Sequence, residues 1–362
     1  MTHHDPGREV VGGVDTHART HHAALIDAQL GRHLADREFP ATAAGYRELT
    51  AWLRTHGQVV AVGVEGTGSY GAGLARHLTR AGLTVIEVDR PDRKTRRSRG
   101  KSDPIDAYAA ATAVASGRAD GSPKTRTGTV EAIRMLRVAR TSAVKARTQA
   151  VNQIHTLLTT APAALREHYA GLPRARLVAT LARLRPGHDP AVPLDAAKTA
   201  LRHLARRHQA LDQEITELDA QILPLVRAAN PALLELHGVG PQIAGQLLTT
   251  AGDNPDRLHN EAAFAHLCGA APKPASSGRT HRHRLNRGGD RHANAALHHV
   301  VIVRMRHHQP TRAYVQRRTK EGLSTREIIR CLKRYVAREV YHALTANPPA
   351  QTTQTRTLTP AD

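Results

Sequence analysis

Residues 59–65, VVAVGVE, form an uninterrupted β-branched run closed by a carboxylate, and they constrain the fold more than any other segment. A strand apolar at every position is buried on both faces, which happens when helices cover both sides of a sheet. The neighbouring segments supply such helices. GYRELTAWLRTHG (45–57) places Tyr46, Leu49 and Leu53 at helical spacing, and SYGAGLARHLTRAG (69–82) does the same with Tyr70, Leu74 and Leu78 before closing on Gly82 as the C′ residue. VVGGVDTHA (10–18) reads as a first strand with hairpin partners HHAALID (21–27) and GRHLADREF (31–39), and LTVIEVD (83–89) as a further buried strand. SDPIDAYAAATAVASG (102–117) starts a helix with Asp103 as N-cap and Pro104 at N1. This alternation predicts a mixed α/β domain over about 1–128.

From Thr129 to Ala229 the period becomes wholly helical. Ile133, Leu136, Val144, Val151, Ile154 and Leu158 form one stripe, and Leu201, Leu204, Leu211, Ile215, Leu218 and Ile222 a second, which predicts a long, coiled-coil-like middle region. Residues 230–345 read as a mainly α C-terminal domain, and 346–362 as a Pro/Thr-rich tail without packed structure.

Lys plus Arg total 52 against 31 Asp plus Glu, a formal net charge of +21, with 24 His in addition. Such an excess points to a polyanion partner, most simply nucleic acid, and away from an ordinary metabolic enzyme. Hydrophobic residues at 40% are enough for a packed core, whereas aromatics at 3% argue against base stacking as the main binding mode. Cys268 and Cys331 cannot build a disulfide framework or a zinc finger, and Cys268 reads as core. With no signal-like apolar core and no run of eighteen apolar residues, a soluble cytoplasmic protein without a membrane partner is expected.

Asp15 and Glu65 end strands, and Asp103 and Asp106 open a helix. Carboxylates at the ends of neighbouring strands converge at one sheet edge. Four of them can hold two divalent ions ~4 Å apart, the arrangement that supports phosphoryl transfer. Mg²⁺ suits such hard oxygen donors, since no Cys or His occupies a comparable position. Singly, each acid also reads as a turn or capping residue. Together, in a basic chain, the metal reading accounts for all four.

RPDRKTRRSRGK (90–101) carries seven cations, Arg90, Arg93, Lys94, Arg96, Arg97, Arg99 and Lys101, against one acid. Beside an acidic cluster such a run fits phosphate contact better than a solvated loop. HGVGPQIAGQLLTTAG (237–252) resembles the turn of a helix-hairpin-helix element, with Gly238 and Gly240 allowing close approach of a phosphate and Pro241 starting the next helix. Further on, Ser276-Ser277-Gly278 lie in a loop flanked by Lys273, Arg279, Arg282, Arg284, Arg287 and Arg291. A serine there can bind phosphate or, if activated, attack it.

GVDTHA (13–18), VGVEGTGSYG (62–71) and GKSDPIDAYAAA (100–111) resemble the three acidic motifs of the DEDD transposases of the insertion sequence 110 family, the group that includes the Piv DNA invertase. That resemblance implies a RuvC/RNase H-like N-terminal domain with its tetrad at Asp15, Glu65, Asp103 and Asp106. GAAPKPASSG (269–278) and the following R-G-G-D resemble the family's C-terminal transposase domain through Gly269, Pro272, Ser277, Gly278, Arg287 and Gly288. The resemblance implies a nucleophile at Ser277, with Ser276 the fallback, that forms a phosphoserine link to DNA. His281, His283 and His292 depart from the pattern; they can supply proton transfer or charge, and charge is the favoured reading. Also implied are Mg²⁺ as a two-ion cofactor, DNA element ends and target as substrates, a structured non-coding guide RNA, a composite site, and a homodimer or homotetramer. Two other readings stay open: a metal-dependent nuclease or junction resolvase acting by hydrolysis, and a non-catalytic nucleic-acid-binding protein.

Overall fold

The computed structural model describes residues 7–88, 102–275, 283–286 and 288–346. Its contacts divide into two compact units, one holding the chain up to Gly128 with Ala251–Asn260, the other Thr129–Thr250 and the residues from Glu261 on.

The first unit is a five-stranded sheet in the order β3-β2-β1-β4-β5. Its strands are β1 (Glu9–Thr16), β2 (Thr20–Asp27), β3 (His33–Pro40), β4 (Gln58–Glu65) and β5 (Val85–Val88). β1, β4 and β5 pair in parallel, while β2 runs antiparallel to both β1 and β3, so β2 alone is reversed. Helices α1 (Ala43–Arg54) and α2 (Ala72–Arg80) cover one face, burying Leu49, Leu53, Leu74 and Leu78 with Val10, Val14, Val62 and Val64. Each such side chain is worth about 1.5–3 kcal/mol of transfer free energy. Thr42 caps α1 by accepting the Gly45 N–H at 3.1 Å, and Gly82, at φ +78°, follows the end of α2 as C′.

Helix α3 (Asp103–Ala115) covers the other face, against Val11 and Ile26. Its start differs from the expected one. Ser102, extended at φ −148° and ψ 149°, holds the N-cap position, Asp103 is already helical, and Pro104 follows in the first turn. The Asp106 N–H bonds to the Ser102 carbonyl, which moves the cap one residue earlier. The far edge is closed by residues distant in sequence. Asn254 accepts the Thr125 N–H and donates to the Pro123 carbonyl, while Arg257 donates to the Ser122 carbonyl and pairs with Glu87 of β5 at 3.2 Å.

The second unit is helical. Its long members are α4 (Thr129–Thr160, 32 residues) and α7 (Pro193–Ala229, 37 residues), with the short α5 (Ala163–Tyr169) and α6 (Arg174–Leu181) packed near one end through Leu165, Leu177 and Leu181. α4 and α7 run antiparallel, since Arg140 pairs with Asp219 and Arg147 with Asp212. The buried seam differs from the expected stripe. Ile133, Ile154 and Leu158 are core as expected, but Ala143 and Ala150 are buried where Val144 and Val151 are only half-buried. Close helix approach favours alanine there, and the arginines lay their stems along the interface.

Arg140 grips Asp219 with two bonds, of 2.6 and 2.9 Å. Asp219 also accepts from Gln242 on α9 (Pro241–Ala251), and Arg137 donates to Gln242 and Gln246 of that helix. Burial and the neighbouring Arg140 hold the Arg137 guanidinium down at about 10. Arg140→Ala is expected to cost about 1–3 kcal/mol, because it strands Asp219 and loosens two helix contacts together. A double-mutant cycle with Asp219→Ala should return a coupling of about 1 kcal/mol. Additive losses would mean that the bridge does not hold the helices together.

The remaining helices are the single turn α8 (Ala232–Glu235), then α10 (Glu261–Leu267), α11 (Arg291–His307), α12 (Gln309–Lys320) and α13 (Thr325–Ala346), with the short strands β6 (Lys273–Pro274) and β7 (His283–Arg284) between α10 and α11. Among the described residues no helix is long and apolar enough to cross a membrane.

Candidate metal centre and nucleic-acid interface

The acids are brought together by two glycines. β1 and β4 pair in register with Gly13 beside Gly63 and Val14 beside Val64, so Asp15 and Glu65 come next, side by side. Alternation along a strand puts Gly13 with Asp15, and Gly63 with Glu65, on the face that α3 covers. A Cβ on Gly13 would lie 2.2 Å from the Ala107 carbonyl oxygen, and one on Gly63 2.7 Å from a Val114 methyl. The helix therefore rests directly on glycine backbone through Ala107, Ala110 and Ala111, all buried. Its first turn, carrying Asp103 and Asp106, is carried to the strand ends. Gly13→Val should overpack this contact by about 1–3 kcal/mol, lowering the melting midpoint by about 4–12 °C and removing activity with it. Unchanged melting would show that the helix does not depend on the glycine.

Asp15, Glu65 and Asp106 are buried, whereas the Asp103 side chain is 42% exposed. The Thr16 hydroxyl donates to the Glu65 carbonyl at 2.9 Å, tying the two strand ends together, and Gly66 turns the chain at φ +68°. Burial pushes the Asp15 carboxyl up; His17 opposes this, and Asp106 and Asp103 push it further up. Crowded, desolvated carboxylates of this kind fit a divalent cation, which relieves their mutual repulsion.

The structure corrects one expectation. His17, two residues after Asp15, reaches to 3.8 Å from Asp15 and 3.5 Å from Asp103, and donor atoms of Asp15, His17 and Asp103 lie within 4.8 Å of one another. An imidazole does occupy a comparable position. The i, i+2 spacing from Asp15 was the signal for it, since both lie on one side of an extended chain.

In the second unit the 236–240 turn joins α8 to α9, with Gly238 at φ +83° and open space around Gly240. Lys273 and Arg284 are exposed on β6 and β7, as is His283. Asp290 caps α11 by accepting the N–H groups of His292 and Ala293 and also receives the Thr250 hydroxyl at 2.7 Å, which gives the R-G-G-D motif a structural role. Cys268 is fully buried. Ser276, Ser277, Arg279, Arg282 and Arg287 lie outside the described residues, as do His281 and the whole run from Arg90 to Lys101.

A family model described as a DEDD transposase of the IS110 type matches residues 12–162, and one described as a transposase of the IS116/IS110/IS902 family matches residues 230–316. The chain belongs to the IS110 family of transposases. This IS110-family chain is 28% identical over 322 residues to the protein assigned as transposase to the IS117 mini-circle of Streptomyces coelicolor, covering 74% of this chain and 78% of that one. It is also 30% identical over 138 residues to the uncharacterised 43.6 kDa protein of insertion element IS110 from the same organism, covering 37% of this chain and 34% of that one. The first IS110-family match contains all four acids and His17; the second contains the 236–240 turn and both serines.

Proposed function

We propose that this transposase moves an insertion sequence by Mg²⁺-dependent cleavage and exchange of DNA strands through a phosphoserine link at Ser277. What supports the reading is the approach of Asp15 and Asp103, with Asp106 near enough to raise the Asp15 carboxyl and Glu65 ending the neighbouring strand. Glu65 and Asp106 stand outside the 4.8 Å cluster of Asp15, His17 and Asp103. The sheet beneath is ordered β3-β2-β1-β4-β5 with only β2 reversed. That order is consistent with a RuvC-like domain, in which strand-end acids serve phosphoryl transfer.

Asp15, Glu65, Asp103 and Asp106 would hold the metal, and two Mg²⁺ ions would supply charge neutralisation for the attacking and leaving oxygens. Ser277 Oγ gives up its proton and bonds to the scissile phosphorus as the phosphorus–oxygen bond of the strand breaks, and the leaving oxygen takes up a proton. Attack by the hydroxyl of a second strand then reverses the chemistry and releases the serine. One ester replaces another at each step, so no external energy source is needed. Arg279, Arg282, Arg284 and Arg287 offset charge on the phosphate. Lys273, Gly238 and Gly240 position the backbone, and a structured non-coding RNA selects the DNA partners. Strand exchange takes more than one such site, hence a dimer or tetramer, working in the cytoplasm at the nucleoid.

Purified protein given DNA bearing the element's ends should break strands with Mg²⁺ and not with EDTA. Sequencing of copurifying nucleic acid should recover one discrete RNA species. Metal-independent breakage, or a random RNA population, would remove the corresponding part of the proposal. Neutralising Arg93, Lys94, Arg96 and Arg97 together should flatten the salt dependence of binding by about 0.7–0.9 in log–log slope per lost phosphate contact. An unchanged slope would assign this run to solvent.

A further inference from the structure

The second unit contains a cavity of about 860 Å³ between the β6–β7 segment and helices α12 and α13. It is inside the ~300–1,000 Å³ range of small-ligand sites and far too small for a duplex. Five cations line it, Arg284, Arg318, Arg330, Lys333 and Arg334. Glu327, also in the lining, has its carboxylate engaged by the Ser324 N–H and hydroxyl at 3.0 and 2.7 Å. Arg318 also pairs with Glu321, Arg330 with Glu327 at 3.9 Å and Arg334 with Glu261 at 2.8 Å, yet Glu321 and Glu261 stand outside the lining, which keeps five cations to one carboxylate.

Three buried donors in this lining lack a hydrogen-bond partner among the described residues: Arg318 Nε, Arg334 Nη1 and Asn286 Nδ2. Asn286 is only 6% exposed. Leaving a buried donor unpaired costs about 1–3 kcal/mol; all three donors belong to side chains that line one cavity, so a small turn of each toward it would serve an acceptor-rich, anionic ligand. The lining is also partly apolar. Tyr335 is 47% exposed although aromatic residues are scarce in this chain, and Tyr314 holds its ring edge-on at 5.7 Å. Leu285, 51% exposed, adds further apolar surface.

We infer that this cavity is a nucleotide pocket that takes one unstacked nucleotide of a nucleic-acid strand, its phosphate against Arg318, Arg330 and Arg334 and its base against Tyr335. A phosphodiester supplies acceptors for Arg318 Nε and Arg334 Nη1, the donors left over from the Arg318–Glu321 and Arg334–Glu261 pairs, and guanidinium groups bind it in fork geometry. The base supplies a flat face for the tyrosine and edge acceptors for the Asn286 amide. An inorganic phosphate would leave the ring uncovered, and a duplex would not enter. The inference rests on nucleic-acid binding within the proposed function, and on neither the metal nor Ser277.

The test uses the full chain in EDTA with single-stranded DNA and RNA oligonucleotides, each carrying one 5-iodopyrimidine. On irradiation, mass spectrometry should place the crosslink on Tyr335. Tyr335→Phe should retain it, whereas Tyr335→Leu should lose it and weaken binding about tenfold. Arg330→Ala should weaken binding and reduce the salt slope by about 0.7. Crosslinking of the DNA alone or of the RNA alone identifies the strand that uses the pocket. Thermal melting checks the fold of each variant, and the wild-type crosslink position decides if a variant unfolds. No binding of either strand, crosslinks only outside the pocket, or folded Tyr335→Leu and Arg330→Ala proteins with wild-type affinity would overturn the inference. Crosslinking at Tyr335 that persists in a recombination-dead Asp15→Asn protein would separate the pocket from the acid chemistry.

Discussion

Asp15→Asn should reduce recombination by at least about 10²–10³-fold while leaving nucleic-acid affinity near wild type, because it removes a buried oxygen ligand and no phosphate contact. Glu65→Gln and Asp106→Asn should behave alike, since both acids are buried at the same edge. Asp103→Asn is the sharper test of its residue, for Asp103 is half-exposed and sits inside the first turn, with Ser102 at the cap position. Near-normal recombination by that variant would take Asp103 out of the metal set. Stability gives a second readout. Burial and the nearby Asp106 and Asp103 raise the Asp15 carboxyl above its ordinary 3.8, so the folded protein binds that proton more tightly than the unfolded chain. Metal-free wild-type protein therefore loses stability as pH rises above about 4, and carries the full penalty once pH exceeds the raised value. Asn carries none. Without metal, Asp15→Asn should melt above wild type at pH 7, with the difference shrinking as pH falls through 4. Mg²⁺ should reverse the order by stabilising wild type, by about 2.7 kcal/mol at a hundredfold excess over Kd. A variant that melts below wild type in EDTA at pH 7 would show that the carboxylates do not strain the fold.

Ser277→Ala should abolish strand exchange together with any protein–DNA adduct that survives denaturation, and Ser276→Ala should be milder. Exchange without an external energy source must conserve the energy of the broken phosphodiester, which a phosphoserine ester does and hydrolysis does not. A serine hydroxyl is a weak nucleophile until activated, and no general base lies near Ser277 in sequence. The adduct should therefore require Mg²⁺ and all four acids. Digestion of the trapped complex with nuclease, followed by mass spectrometry, should find the nucleotide on Ser277. A nucleotide on Ser276 or on a tyrosine, or recombination with no adduct, would replace this mechanism with another.

Period and punctuation made much of the fold readable. The strands at 10–16 and 59–65, the helices on either side of the second and Gly82 as C′ all follow from apolar spacing and from where glycine tolerates positive φ. The helical character of 129–229, with its two apolar stripes, was equally plain, whereas the ends of the two long helices at Thr160 and Pro193 were not. The helix start at Asp103 was misread by one residue because Ser, Asp and Pro all favour a first turn, and only backbone geometry separates them. In the coiled pair, apolar periodicity singled out Val144 and Val151, but the seam took Ala143, Ala150 and the paired Arg140 and Arg147. Pattern reading counts large side chains, whereas interhelix distance rewards small ones and long stems.

What the sequence by itself determined is the set of parts: two buried G-x-acid strand ends, a helix opening on two aspartates, two long amphipathic helices and a strong positive charge. These are local properties, written in short-range spacing and composition. Only the tertiary structure decided which parts meet. It set Gly13 beside Gly63 so that α3 could lie on bare backbone, brought His17 between Asp15 and Asp103, and returned Asn254 and Arg257 to the edge of a sheet completed at Val88. It also gathered Asn286, Arg318 and Arg334 around one cavity, each with one buried donor unpartnered among the described residues. Contacts between residues this far apart depend on how whole faces pack and on which backbone approaches are sterically open, and no spacing along the chain encodes either.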